Sequence, residues 1–107
     1  MELRQLQYFV AVSTDLSFSK AARRLFVSQS AISHQIARFE HELGVSLFDR
    51  STRTVTLTEV GSRILPIATQ MLDLATTITT MARLPRNRIR LAANMTFASK
   101  SLSAIAS

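Results

Sequence analysis

Apolar side chains recur along the first 43 residues at intervals of three and four, the spacing of one face of an α-helix. Leu3, Leu6, Phe9 and Val10 mark a first amphipathic helix over about residues 3–13, broken by Ser13, Thr14 and Asp15. Ala21, Ala22 and Leu25 mark a short second helix over about residues 18–25, with Ser17 as its N-cap. The two alanines let a neighbouring helix approach closely. Val27 ends the turn that follows, and Ser28 is the next N-cap. Ile32, Ile36, Phe39 and Leu43 then step by four, three and four, which predicts one buried stripe on a helix from Gln29 to Glu42. Gly44 sits where a left-handed residue would stop that helix.

Past Gly44 the period shortens. Leu47 and Phe48, then Val55 and Leu57, are β-like runs on either side of Arg50-Ser51-Thr52-Arg53-Thr54, which predicts a small hairpin, a wing. Thr58 caps a long helix. In it Val60, Ile64, Ile67, Met71, Leu74, Ile78 and Met81 alternate steps of four and three, a heptad seam. Leu65, Ala68, Leu72, Ala75 and Ala82 widen the apolar surface, and Pro66 predicts a kink or a loosened turn. One small domain cannot cover so long an apolar helix. The economical reading packs the seam on its copy in a homodimer; the alternative lays the helix across its own domain's core.

RLPRNRIR, residues 83–90, reads as a linker. RIRLAAN then looks like a strand and TFASKSLSAIAS like the start of a helix, too little to bury a second core. The expected architecture is therefore mainly α. Residues 1–58 form a winged helix-turn-helix, a three-helix core plus a β-hairpin, with the helix-turn-helix at about residues 18–37. A linker or dimerisation helix spans residues 59–84. Residues 85–107 are a linker and the truncated start of a further domain.

Composition narrows the function classes. The chain has 107 residues and a formal net charge of +6. Residues 1–58 carry seven Lys/Arg against five Asp/Glu, and residues 59–107 carry six against two. A basic balance favours polyanionic partners. The absence of cysteine excludes disulfides and cysteine-based zinc sites. The N-terminus is a poor signal peptide, and no apolar run approaches the length that spans a bilayer. The expected location is the cytoplasm, without a membrane partner.

The third helix carries the candidate chemistry. At about 100° per residue, the side opposite the stripe presents Ser30, Ala31, His34, Arg38 and His41, with Gln29 and Ser33 flanking its front. No acid lies on the N-terminal half of this face. Small and amide side chains there let a helix sit deep in a major groove, where Gln reads adenine and Ser or His reaches base edges or phosphates. A solvated helix face also favours Ser, Gln and Arg; the short helix and tight turn in front of it tip the reading toward double-stranded DNA. On the hairpin, Arg53 is placed to enter a minor groove and Arg50 to pair with phosphate.

LRQLQYFVAV, SFSKAARRLFVSQSAISHQIARFEHELGVSLFDR and TVTLTEVG, in that order, resemble the N-terminal DNA-binding region of LysR-type bacterial transcriptional regulators. The likeness runs from about residue 2 to residue 82, and RIRLAANMTFASKSL resembles the entry into that family's effector-binding domain. The resemblance implies a transcription regulator that binds pseudo-palindromic promoter DNA as a dimer or tetramer through a dimerising linker helix. It places Gln29, Ser30 and Ser33 at recognition-helix positions that face bases or phosphates, with Arg50 and Arg53 on the wing; Ser17, Ser28, His34 and Arg38 complete the set of residues expected at the DNA. His34 stands where many members have Arg or Lys. A small-molecule effector is expected only where the rest of the effector domain is present.

Enzyme chemistry finds no support. The acids form no catalytic pair, there is no phosphate loop or nucleophile motif, and no cofactor is expected. His34 and His41 are about two turns apart on one helix, too far for the usual metal pair. A second reading is a truncated regulator that acts through protein–protein contacts or mixed dimers rather than through its own DNA binding.

Overall fold

The computed structural model describes residues 1–85. Within them the chain makes α1 (Leu3–Asp15), α2 (Phe18–Leu25), α3 (Gln29–Leu43), β1 (Phe48–Asp49), β2 (Thr56–Leu57) and α4 (Glu59–Arg83). This is the winged helix-turn-helix followed by a long helix that the pattern predicts. The strand and helix start read in residues 86–107 lie outside the described residues.

Capping serines set the starts of α2 and α3. The Ser17 hydroxyl accepts from the Lys20 amide at 3.1 Å and the Ser28 hydroxyl from the Ala31 amide at 3.1 Å, so both serines satisfy first-turn donors. Gly44 ends α3 at φ 72°. The other two ends depart from the glycine rule: Leu16 closes α1 at φ 48° and Phe26 closes α2 at φ 58°. Helix α1 also runs past its expected break. Ser13 and Thr14 donate their hydroxyls to the carbonyls of Phe9 and Val10, at 2.7 and 2.9 Å, and so remain inside the helix.

The core lies where α1, α2 and α3 meet the base of the wing. Phe9, Val12, Ala21, Ile32, Ile36 and Leu47 are wholly buried. The ring of Phe9 lies 6.2 Å from that of Phe39 and 5.5 Å from that of Phe48, and Phe18 lies 5.7 Å from Phe48. These tilted and edge-on pairs tie α1, α2, α3 and β1 together. Leu3 and Leu43, expected inward, are exposed because they stand at helix ends that project past this core. Gln5 takes an inward place instead. It is buried, accepts from the Glu2 amide at 2.9 Å, and donates to Glu42 at 3.5 Å.

The wing is a two-stranded antiparallel ladder, Phe48 opposite Leu57 and Asp49 opposite Thr56. Thr58 joins it to α4. Its amide donates to the Leu47 carbonyl at 3.0 Å, its hydroxyl donates to the Ser46 carbonyl at 2.7 Å, and the same oxygen accepts from the Gly61 amide at 3.0 Å.

Helix α4 continues through Pro66, which faces solvent. Residues 1–72 form one compact unit, and the described residues from 73 on belong to a second. Within the first, Ala68 is buried, and Ile64, Leu65, Met71 and Leu72 pack half-buried on the core. Ile64 and Met71 of the predicted seam thus pack against their own domain's core. Val60 and Ile67 are exposed in the first unit, Leu74 and Ile78 in the second, while Met81 is half-buried. Among the described residues no helix is long and apolar enough to cross a membrane.

Candidate nucleic-acid interface

The start of α3 is open on the side away from the core. Gln29, Ser30, His34 and Arg38 are exposed, and Ser33 and Ala31 are half-exposed. No acid stands in the first turn. Ser28 is occupied as the cap and also lies 3.2 Å from the Ser30 hydroxyl. The arrangement recurs one helix earlier, where Ser17 caps α2 and lies 3.2 Å from the Ser19 hydroxyl. Two helix starts thus carry capping serines, and the residues predicted to read DNA lie just beyond the second. Farther along α3, His34, Ala37, Arg38, His41 and Glu42 line a shallow open groove.

The two wing arginines differ. Arg53 lies in the loop over residues 50–55, exposed, and among the described residues it makes no hydrogen bond or ion pair. Arg50 is held. Its guanidinium stacks 4.3 Å above the Phe18 ring and lies 3.7 Å from Glu40. The loop is shaped by its own polar groups. Asp49 accepts from the Ser51 hydroxyl at 2.6 Å and the Ser51 amide at 2.9 Å, and Thr52 donates to the Thr54 carbonyl at 2.8 Å. These bonds from Ser51 hold the Asp49 carboxyl below its ordinary pKa.

Two features escaped the sequence pattern. Glu40, in the second half of α3, turns toward the wing and accepts from the Leu47 amide at 2.7 Å and the Phe48 amide at 3.4 Å. The available signal was its place four residues after Ile36, a charge on the apolar stripe. Phe26, read as part of a turn, is 94% exposed in left-handed conformation. Nothing in its spacing announced this. Because that conformation costs a side chain about 1 kcal/mol and Phe26 buries almost nothing, Phe26→Gly is expected to raise Tm by a few degrees in thermal unfolding.

Residues 3–62 match the profile described as "Bacterial regulatory helix-turn-helix protein, lysR family". The chain belongs to the lysR family. It is 54% identical over 68 residues to the HTH-type transcriptional regulator ShiR of Corynebacterium glutamicum, covering 64% of this chain and 23% of that protein. It is 48% identical over 75 residues to the regulator BudR of Klebsiella aerogenes, covering 70% and 52%. The BenM DNA-binding domain, solved in complex with catB site 1 DNA, superposes with a TM-score of 0.75 at 40% identity, over 78% of this chain and 93% of that one. Full-length OxyR C199D from Pseudomonas aeruginosa superposes with a TM-score of 0.77 at 37% identity, over 80% and 29%. The chain spans about a quarter of ShiR and about half of BudR.

The lysR-family match covers α1, α2, α3, the wing and the first residues of α4. These elements hold every residue proposed to meet DNA. The relatives are named as transcriptional regulators, a non-enzymatic class. Among the described residues no group of three or more His, Cys, Asp or Glu side chains converges as a metal site would require.

Proposed function

We propose that this chain is the DNA-binding and pairing portion of a LysR-type transcription regulator of the bacterial cytoplasm. Two copies join along α4, present two α3 helices to successive major grooves, and set the wing loops against flanking minor grooves. The observation that carries this reading is the front of α3. Gln29, Ser30, Ser33 and His34 stand open beyond a capped helix start with no acid in the first turn. The superposition on a helix-turn-helix domain solved on DNA supports the same placement.

Division of labour follows from side-chain chemistry. Gln29 and its neighbours reach base edges and choose sequence; Ser17, Ser28 and Arg38 lie where phosphates pass; Arg53 supplies the wing's charge. Arg50, already stacked and paired, contributes mainly by holding the loop. Exposed Val60 and Ile67 of the first unit, and exposed Leu74 and Ile78 of the second, are each offered to a second copy, and pairing of dimers would give a tetramer. A small-molecule effector would act through a following domain.

The test is a binding series on selected and random duplexes over a range of salt. Arg53→Ala is expected to weaken binding on both and to reduce the salt slope by about one. Gln29→Ala is expected to cost about 1–3 kcal/mol on the selected site and to relax base preference there. Equal losses on both duplexes for both variants would overturn this assignment. Absent or salt-insensitive binding would favour action through protein contacts.

A further inference from the structure

We infer that Glu40 is a positioning residue that fixes the wing to the recognition helix, so that Arg53 is presented at a set place relative to α3. The inference rests on the wing reading above and deepens it.

The hairpin cannot hold its own direction. Each strand has two residues, far short of an independently stable ribbon. Its orientation must come from side chains that reach it from elsewhere, and Glu40 reaches it three times. One carboxylate oxygen takes the Leu47 and Phe48 amides, at 2.7 and 3.4 Å. The other faces the Arg50 guanidinium at 3.7 Å. The Glu40 backbone carbonyl also accepts from the Gly44 and Val45 amides, at 2.8 and 3.2 Å. One residue therefore closes α3 and starts the wing. Arg50 completes the brace: its guanidinium lies 3.7 Å from the Glu40 carboxylate and 4.3 Å over the Phe18 ring. The loop that bears Arg53 leaves directly from this braced residue.

A purely structural role would give Glu40 one task, to satisfy the amide of Leu47, whose residue is wholly buried. Glu40→Gln separates the two roles. The amide side chain keeps an oxygen for the Leu47 N–H and has the same shape, but it lacks the charge that holds Arg50.

Simple electrostatics also points the other way from positioning. Removing a negative charge from a DNA-binding surface should tighten binding. Positioning predicts that Glu40→Gln weakens it, by about fivefold to tenfold for a pair coupled in this way. The loss should vanish once Arg53 is gone, because a wing without its arginine has nothing left to misplace.

The experiment is a double-mutant cycle on the full chain with duplex DNA, using wild type, Glu40→Gln, Arg53→Ala and the pair, with Tm measured for each. The expected result is a near-native Tm for Glu40→Gln, weaker binding for each single variant, and a pair no weaker than Arg53→Ala alone. Tighter or unchanged binding by Glu40→Gln would overturn the inference. Losses that multiply in the pair would also overturn it, while leaving the wing reading in place. Native binding by Arg53→Ala would remove the wing reading, and this inference with it.

Discussion

Gly61→Ala is expected to destabilise the fold by about 3 kcal/mol, the upper end for an overpacked site. Gly61 is buried at the third position of α4. A Cβ there would fall well inside contact distance of the Leu47 carbonyl, and 3.1 Å from a Leu57 methyl carbon. The leucine methyl can give; the carbonyl cannot move cheaply. It accepts from the Thr58 amide at 3.0 Å, and its residue is wholly buried against the core. Relief must therefore disturb the joint that fastens α4 to the wing. Alanine is the better helix former by about 0.5–1 kcal/mol, which works against the prediction and makes it sharper. At about 4–8 °C per kcal/mol for a domain of this size, Tm should fall by well over ten degrees. A Tm equal to or above wild type in thermal or urea unfolding would show that the joint yields more easily than its geometry says.

The second large effect concerns pairing. Ile67 and Leu74 are 58% and 54% exposed in the single chain, so aspartate at both should leave the domain folded. The carboxylates introduced by Ile67→Asp and Leu74→Asp would each need desolvation at an interface with a second copy. The double variant is expected to sediment as a monomer with a near-native Tm. Its affinity for a two-half-site operator should fall by about 10²–10⁴-fold, the usual gain from linking two binding events. Binding to one half-site should change little. A variant that remains a dimer would place the pairing surface elsewhere.

The helical layout was legible because capping chemistry and apolar period agree. Ser17, Ser28 and Gly44 mark boundaries that the structure places within a residue of expectation. The break at Ser13–Asp15 was not legible, since a hydroxyl that bonds back to its own helix looks, in sequence, like one that ends it. Period alone also could not divide α4. Ile64 and Met71 share the heptad with Ile67 and Leu74, yet the first pair packs on the core and the second faces outward. The face of α3 proposed to read DNA is marked in the sequence as a run of small polar residues. The partners of Glu40 are not, because two of them, Leu47 and Phe48, contribute only backbone amides, which carry no sequence signature.

The aromatic cluster has a consequence for the kind of DNA this chain would prefer. Phe9 touches both Phe39 on α3 and Phe48 on β1, so the recognition helix and the base of the wing are wedged against one ring. A reader whose two prongs cannot spread or close independently behaves as a caliper. On DNA bound as proposed, it would gauge the span from major groove to flanking minor groove as well as the bases at either end. Base steps that no side chain touches would then still alter the fit, by widening or narrowing that span.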